Sequence, residues 1–218
     1  VRTEANYLLL SKGKEDAITH LNNYSKKKKW GLNGVSGPSQ CSLAFARNWL
    51  DDLPDQLDGR RDFLIYESPS KVPDWKGENE GKYSMKVVGS KEWPRARLWA
   101  LQFASESIPQ LNGSAVVAMA KQMMNKKSLF FVQKNKIETC GMAGFGRETP
   151  SFRVINLVYV PEESRNQKIA QKLILDLLHY AQQEKKKKCI LFSDYIAEGN
   201  LYESIGFKMI SKYGERMF

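Results

Sequence analysis

The stretch Val158-Tyr159-Val160-Pro161-Glu162-Glu163-Ser164-Arg165-Asn166-Gln167-Lys168-Ile169-Ala170 separates two periodicities. Before it, residues 152–160 alternate, with Val154, Asn156, Val158 and Val160 on one face and Ile155, Leu157 and Tyr159 on the other, as in a strand. After it, Ile169, Ala170, Leu173, Ile174, Leu177, Leu178 and Ala181 form one apolar stripe on a helix of about five turns. The strand Arg153–Val160 is thus expected to pass through Pro161 and a polar loop into a long helix beginning near Arg165. A helix start presents backbone N–H groups without helical partners, a seat for phosphate oxygens, and Arg165 and Lys168 add charge. Taken alone, such a junction is more often an ordinary strand-to-helix turn.

Upstream, Trp93, Ala96, Trp99, Ala100, Phe103, Ala104 and Ile108 have helical spacing over Glu92–Gln110, and Asn112-Gly113 separates this helix from a second, Ser114–Asn125. Leu129-Phe130-Phe131-Val132, a polar turn at Lys134–Lys136, and a strand from Ile137 to Gly146 read as a hairpin, which a turn containing Pro150 extends into a three-stranded meander. Downstream, Cys189–Phe192 is a short buried strand, Gly199–Ile205 a short helix, and Gly206–Phe218 a hairpin-like strand pair. The fold class is therefore α/β (α+β): a mixed, mostly antiparallel sheet with helices on both faces.

A second feature lies in Asn200-Leu201-Tyr202-Glu203-Ser204-Ile205-Gly206-Phe207, where a tyrosine on a short helix is followed by Gly-Phe entering a strand. Singly, this reads as a core tyrosine with a helix-ending glycine. Together, three stretches are more specific: Gly141-Met142-Ala143, Val158–Leu173, and Ile190–Asp194 through Tyr202–Phe207 to Arg216-Met217-Phe218. They resemble the GCN5-related N-acetyltransferase (GNAT) family, and in particular its bacterial branch of predicted acetyltransferases with an FR-type C-terminal motif, over about residues 92–218.

The resemblance implies an acetyl-CoA-dependent N-acetyltransferase acting on a primary amine, with acetyl-CoA as donor and no metal. It implies that the strand before the long helix splays from its neighbour and holds the pantetheine arm along Leu157, Val158, Tyr159 and Val160. The pyrophosphate would rest on Arg165, Asn166, Gln167, Lys168, Ile169, Ala170 and Gln171, Asn200 would touch the cofactor arm, and Tyr202 would protonate the departing thiolate. A backbone N–H near Val158 would stabilise the oxyanion. The resemblance supplies no general base; Glu138 and Glu148, in or beside the meander, are carboxylates that could act through water or be solvated turn residues.

The chain departs from the family pattern at the loop, where Arg-Gly-x-Gly-x-Ala becomes Arg165-Asn166-Gln167-Lys168-Ile169-Ala170. Asn tolerates a left-handed backbone better than most residues, whereas the Lys168 side chain either adds charge for phosphate or obstructs its seat. The link from Asp194 to Tyr202 is also about two residues shorter than the family's, which would displace Tyr202. A catalytically impaired, CoA-binding or interaction module is the alternative that these departures keep open.

Residues 1–80 look like an incomplete acetyltransferase-like unit ahead of the domain at 81–218, with the boundary in the Pro- and Gly-containing stretch Ser68–Gly81. There Trp30–Pro38 followed by Cys41, Ala44, Phe45, Trp49 and Leu50 reads as strand, glycine loop and helix. No Lys or Arg occurs between Trp30 and Ala46, so a second cofactor site is not expected.

The net charge of +10 is uneven: residues 1–90 hold 14 Lys and Arg against 12 Asp and Glu, residues 91–218 hold 20 against 12. A polyanionic ligand for the second part follows, and a nucleotide cofactor satisfies it. Nucleic acid is not expected as a partner, because no basic stripe interleaved with aromatics accompanies the charge. Lys26–Lys29 and Lys185–Lys188 read as solvated helix ends or turns. Three cysteines without CxxC spacing, Cys41, Cys140 and Cys189, read as reduced core residues, and two distant histidines give no support for a zinc site. No apolar run reaches the roughly 20 residues that span a bilayer, and Tyr7–Leu10 is too short for a signal-peptide core, so no membrane partner and a cytoplasmic location are expected. A monomer or homodimer is expected.

Overall fold

The computed structural model describes residues 7–51, 60–75, 80–108, 110–185, 188–193 and 200–218. By contact these form two units, one from the described residues up to Ile65 with Ser193 and Met209–Phe218, the other from Tyr66–Phe192 and 200–208.

The first unit contains β1 (Tyr7–Leu9), α1 (Glu15–Lys27), β2 (Gly34–Pro38), α2 (Ser39–Trp49), most of β3 (Arg60–Glu67) and β9 (Lys208–Met217), with strand order β1-β2-β9-β3. β1 and β2 are parallel, while β9 runs antiparallel to β2 and pairs Gly214 with Gly37. Leu8, Ile18, Val35 and Phe45 form its core, and the Phe218 ring stacks on Phe45 and Trp49 at 6.5 and 5.8 Å. That stacking ties the C-terminus into this unit.

Two expectations change here. The terminal hairpin is a single ten-residue strand, β9, because Gly214 sits in the ladder and makes no turn. Gly34 and Gly37 likewise lie inside β2 and not in a loop. A Cβ on Gly34 would lie 2.5 Å from the Arg216 carbonyl oxygen, so glycine here permits close strand approach. Lys26 and Lys27 do close a helix end, α1, and Lys26 pairs with Asp51 at 2.7 Å.

The second unit contains β4 (Tyr83–Val87), α3 (Trp93–Glu106), α4 (Gly113–Asn125), β5 (Leu129–Lys134), β6 (Glu138–Glu148), β7 (Phe152–Tyr159), α5 (Ile169–Lys185), β8 (Lys188–Ser193) and α6 (Leu201–Ser204). Its strand order is β8-β7-β6-β5-β4, antiparallel except for β7 and β8, so the expected meander is present. Alternate residues of β5 face opposite helical layers. The Phe131 ring meets Trp99 of α3 at 5.3 Å, whereas Phe130 meets Tyr180 of α5 at 5.1 Å. Ala96, Ala100, Val116, Ala120 and Met123 complete the α3/α4 layer. Leu173, Ile174, Leu177 and Leu178 of the apolar stripe on α5 are buried. This is the mixed, mostly antiparallel sheet with helices on both faces that the periodicities predicted. Cys41, Cys140 and Cys189 are free and buried. No helix among the described residues is long and apolar enough to cross a membrane.

Candidate functional site

The end of β7 breaks the alternation. Met142 pairs with Tyr159 and Gly144 with Asn156, so β7 spends one more residue than β6 over this interval. The extra residue is accommodated by Leu157 at φ +54°, with its N–H donating to Asn156 Oδ1 at 2.8 Å. Leu157 and Tyr159 therefore pack into the α3/α4 layer, while Ile155 lies opposite Phe145, whose ring stacks on Tyr180 of α5. The shared face expected for Ile155, Leu157 and Tyr159 is corrected accordingly: a left-handed residue moves the following side chains to the other face. Pairing of β7 with β8 covers only Phe152–Val154 against Lys188–Ile190. From Ile155 onward, no strand pairs with β7 on that side among the described residues, which leaves an edge that an extended ligand can line.

The helix also begins later than expected. Residues Glu162–Ser164 make one 3-10 turn, Arg165 is extended, and α5 starts at Ile169. Between them Asn166 and Lys168 have φ of +62° and +58°. These are the two positions where the family pattern has glycine, so the loop keeps the glycine conformation without the glycines. Each L-residue there costs roughly 1–2 kcal/mol. The first N–H groups of α5, Ile169 to Gln171, have no i−4 partners within the helix. Ile169 is buried, Lys168 exposed and Gln171 half-buried.

A pocket of about 430 Å³ joins these pieces, lined by Phe103 and Glu106 of α3, Val158–Val160, Arg165 and Ala170. Glu106 organises it. Its carboxylate accepts from the Tyr159 hydroxyl at 3.0 Å and pairs with the Arg165 guanidinium, whose Nε donates to the Val160 carbonyl at 2.9 Å. Burial, then the bond to Glu106 and its charge, push the Tyr159 phenol up to about 12. The hydrogen bond to Glu106 also holds Arg165 above its ordinary value. Sequence reading missed Glu106, the one carboxylate on α3, because it sits 59 residues from its partner Arg165.

Asn200 and Tyr202 do not line this pocket. Asn200 is 6% exposed and caps α6: its Oδ1 accepts from the N–H groups of Tyr202 and Glu203, and its Nδ2 donates to the Tyr66 hydroxyl at 2.9 Å. Tyr66 donates in turn to Glu203 at 3.0 Å. The Tyr202 ring is held 6.0 Å from Tyr66 and 6.1 Å from Phe207, and its hydroxyl has no hydrogen-bond partner among the described residues. Burial, and after it the charge on Tyr66, raises the Tyr202 phenol, so it keeps its proton at neutral pH. The shortened link preceding Asn200 lies outside the described residues.

Neither sequence candidate for a base reaches the pocket. Glu138 is exposed at the hairpin, and Glu148 pairs with Arg153 at the opposite end of β6. Among the described residues, no group of three or more His, Cys, Asp or Glu could hold a metal ion.

A bulged, half-unpaired strand feeding a left-handed loop and a helix start is an arrangement for an extended ligand with a phosphate end. The family model of the acetyltransferase (GNAT) domain matches residues 102–217, and the chain belongs to that family. Among solved structures, a GNAT-family acetyltransferase from Colwellia psychrerythraea is similar over 100% of this chain and 79% of its own, with a TM-score of 0.64 at 15% identity. A GCN5-related N-acetyltransferase from Sphaerobacter thermophilus covers 99% and 74%, with a TM-score of 0.64 at 12% identity. A third, from Kribbella flavida, covers 95% and 77%, with a TM-score of 0.56 at 12%. At these identities the likeness is one of fold. Among curated proteins, none matches the chain by sequence.

Proposed function

We propose that the protein transfers an acetyl group from acetyl-CoA to a primary amine by direct attack. Acetyl-CoA supplies the acyl group as an activated thioester. The observation that carries this reading is the unpaired β7 edge ending at the two left-handed residues Asn166 and Lys168, beside a 430 Å³ pocket.

In this reading the edge from Leu157 to Val160 binds the pantetheine arm by backbone hydrogen bonds, and the amides of Arg165 to Gln171 hold the pyrophosphate. Arg165 covers the Val160 carbonyl through its Nε, so it must leave that oxygen for the arm to pair there. The Val158 N–H donates to the oxyanion that develops as the amine attacks. Tyr202 lies outside the pocket lining; protonated and without a hydrogen-bond partner among the described residues, it gives its proton to the leaving sulfur where the arm, running along the β7 edge, brings the thioester to it. Glu106, already paired with Arg165, is the carboxylate at the pocket. The amine attacks as the free base, and the proton its nitrogen loses on becoming an amide returns through solvent to the Tyr202 phenolate.

Residues 1–80 are read as a degenerate acetyltransferase-like unit without its own cofactor site, and the free buried thiols suit a reducing cytoplasm. Calorimetric titration of the full chain with acetyl-CoA, followed by an acetylation assay over a panel of amines, tests the proposal. Saturable binding weakened by Lys168→Glu supports it; no detectable heat at millimolar acetyl-CoA sinks it.

A further inference from the structure

At the far end of β6 and β7, about 20 Å along the strand from Val158, lies a second pocket, of about 280 Å³. Its centre is Arg153. The side chain is 7% exposed, and its guanidinium lies over the Phe145 and Tyr180 rings at 4.9 and 5.6 Å. For a buried cation it is poorly satisfied. Nε reaches Glu148 Oε1 at 3.4 Å, Nη2 comes within 3.6 Å of Glu184 Oε2, beyond hydrogen-bonding distance, and Nη1 is buried with no partner. A guanidinium carries five N–H donors in a fixed fork and cannot deprotonate to escape burial.

The walls add charge of the same sign. Lys126 and Lys127, in the turn from α4 to β5, and Arg147, on β6, line the pocket with Ser128. No carboxylate pairs with any of these three cations among the described residues. The two acids present, Glu148 and Glu184, have side chains 38% and 47% exposed, and Glu184 is also hydrogen-bonded to the Tyr180 side chain. Four cations thus face two carboxylates around an under-coordinated guanidinium. Lys127 also holds φ +54° just past the helix end, where glycine is the easy residue. An oxyanion bridging Nη1 and Nη2 would complete the fork in the geometry that carboxylates and phosphates share.

We propose that this pocket binds a phosphate or carboxylate group, remote from the acetyl-transfer site. The test is a 1H–15N NMR titration of the full chain with inorganic phosphate and, separately, succinate, each against sodium chloride at matched ionic strength. Saturable shifts are expected at the Arg153 side-chain Nε–H and the Ser128 and Arg147 amides. Affinity read at the Ser128 and Arg147 amides should weaken at least tenfold in Arg153→Met and several-fold in Lys126→Gln/Lys127→Gln, whose exposed changes keep the fold. Lys168→Gln should leave it unchanged, which separates this pocket from the α5 loop. A response to phosphate alone identifies a phosphoryl ligand, a response to succinate alone a carboxylate one, and a response to both supports the shared oxyanion geometry. No saturable shift with either anion, or shifts indifferent to the lysine pair and to Arg153→Met, would overturn the proposal.

Discussion

The Tyr159 hydroxyl donates to Glu106 Oε1 at 3.0 Å, joining the last residue of β7 to the last residue of α3. The bond and the burial around it favour the neutral phenol, moving its pKa from 10 to about 12. The folded state therefore binds this proton more tightly than the unfolded chain does. Its contribution to stability is complete below pH 10 and is lost as pH rises from 10 through 12. Urea unfolding at pH 9, 10 and 11 should show a shallower alkaline decline for Tyr159→Phe than for the parent. Parallel declines would show that folding does not raise the Tyr159 pKa above its unfolded value. Tyr7, Tyr66, Tyr180, Tyr202 and Tyr213 are also raised, so the difference between the two proteins, and not the parent's slope alone, isolates Tyr159.

The left-handed pair Asn166 and Lys168 should be relieved by glycine. Removing the Cβ penalty of roughly 1–2 kcal/mol, less the added chain entropy of glycine, leaves about 0.5–1 kcal/mol of stabilisation per site. Lys168→Gly should gain more than Asn166→Gly, because Asn already tolerates that region. Denaturant midpoints measure this directly, and a loss of stability at either site would contradict the positive φ. Acetyl-CoA affinity in Lys168→Gly then distinguishes the two roles of the lysine: tighter binding means it obstructs the loop, weaker binding that its charge holds phosphate.

The junction was legible because Pro161 stands where the apolar period changes from two to 3.6, and both periods are long enough to count. The bulge was not, because nothing about Leu157 in sequence announces a positive φ; it follows from the pairings of Met142 and Gly144 across the sheet. Glu106 was hidden for a similar reason, since its partner Arg165 is distant in the chain and only the packing of α3 beside β7 joins them. Gly206, read as a helix-ending glycine, has φ +96° after α6, whereas the strand pair expected over Gly206–Phe218 is one continuous strand, β9, with Gly214 inside it.

Tyr202→Phe should separate acid catalysis from binding. The ring keeps its contacts with Tyr66 and Phe207, and the lost hydroxyl bonds nothing among the described residues, so folding stability should change by less than about 0.5 kcal/mol. If the phenol protonates the leaving thiolate, kcat falls by about 10²-fold while acetyl-CoA affinity stays within about twofold. Stopped assays with the best amine of the panel, beside calorimetry, give both numbers. An unchanged kcat would remove Tyr202 from the proton-transfer step and leave it a packing residue.

The Gly214→Ala change tests the buried charge in the first unit. Arg216 is 1% exposed; its Nη2 donates to Asp62 Oδ1 at 2.6 Å, and Nη1 donates to the Arg61 and Glu215 carbonyls. A Cβ on Gly214 would stand 2.7 Å from both terminal nitrogens and 2.9 Å from the carbon between them. The guanidinium would have to withdraw from Asp62, with no solvent to receive it, and removing one side of such a pair costs about 3–5 kcal/mol. Part of the clash is relieved by a shift of the flexible arm, so about 2–4 kcal/mol is expected for the alanine. Gly31→Ala is the control, since a Cβ there meets nothing within 4 Å, and it should leave stability nearly unchanged. Urea midpoints for the two variants that agree within about 0.5 kcal/mol would show that the guanidinium is not fixed over Gly214.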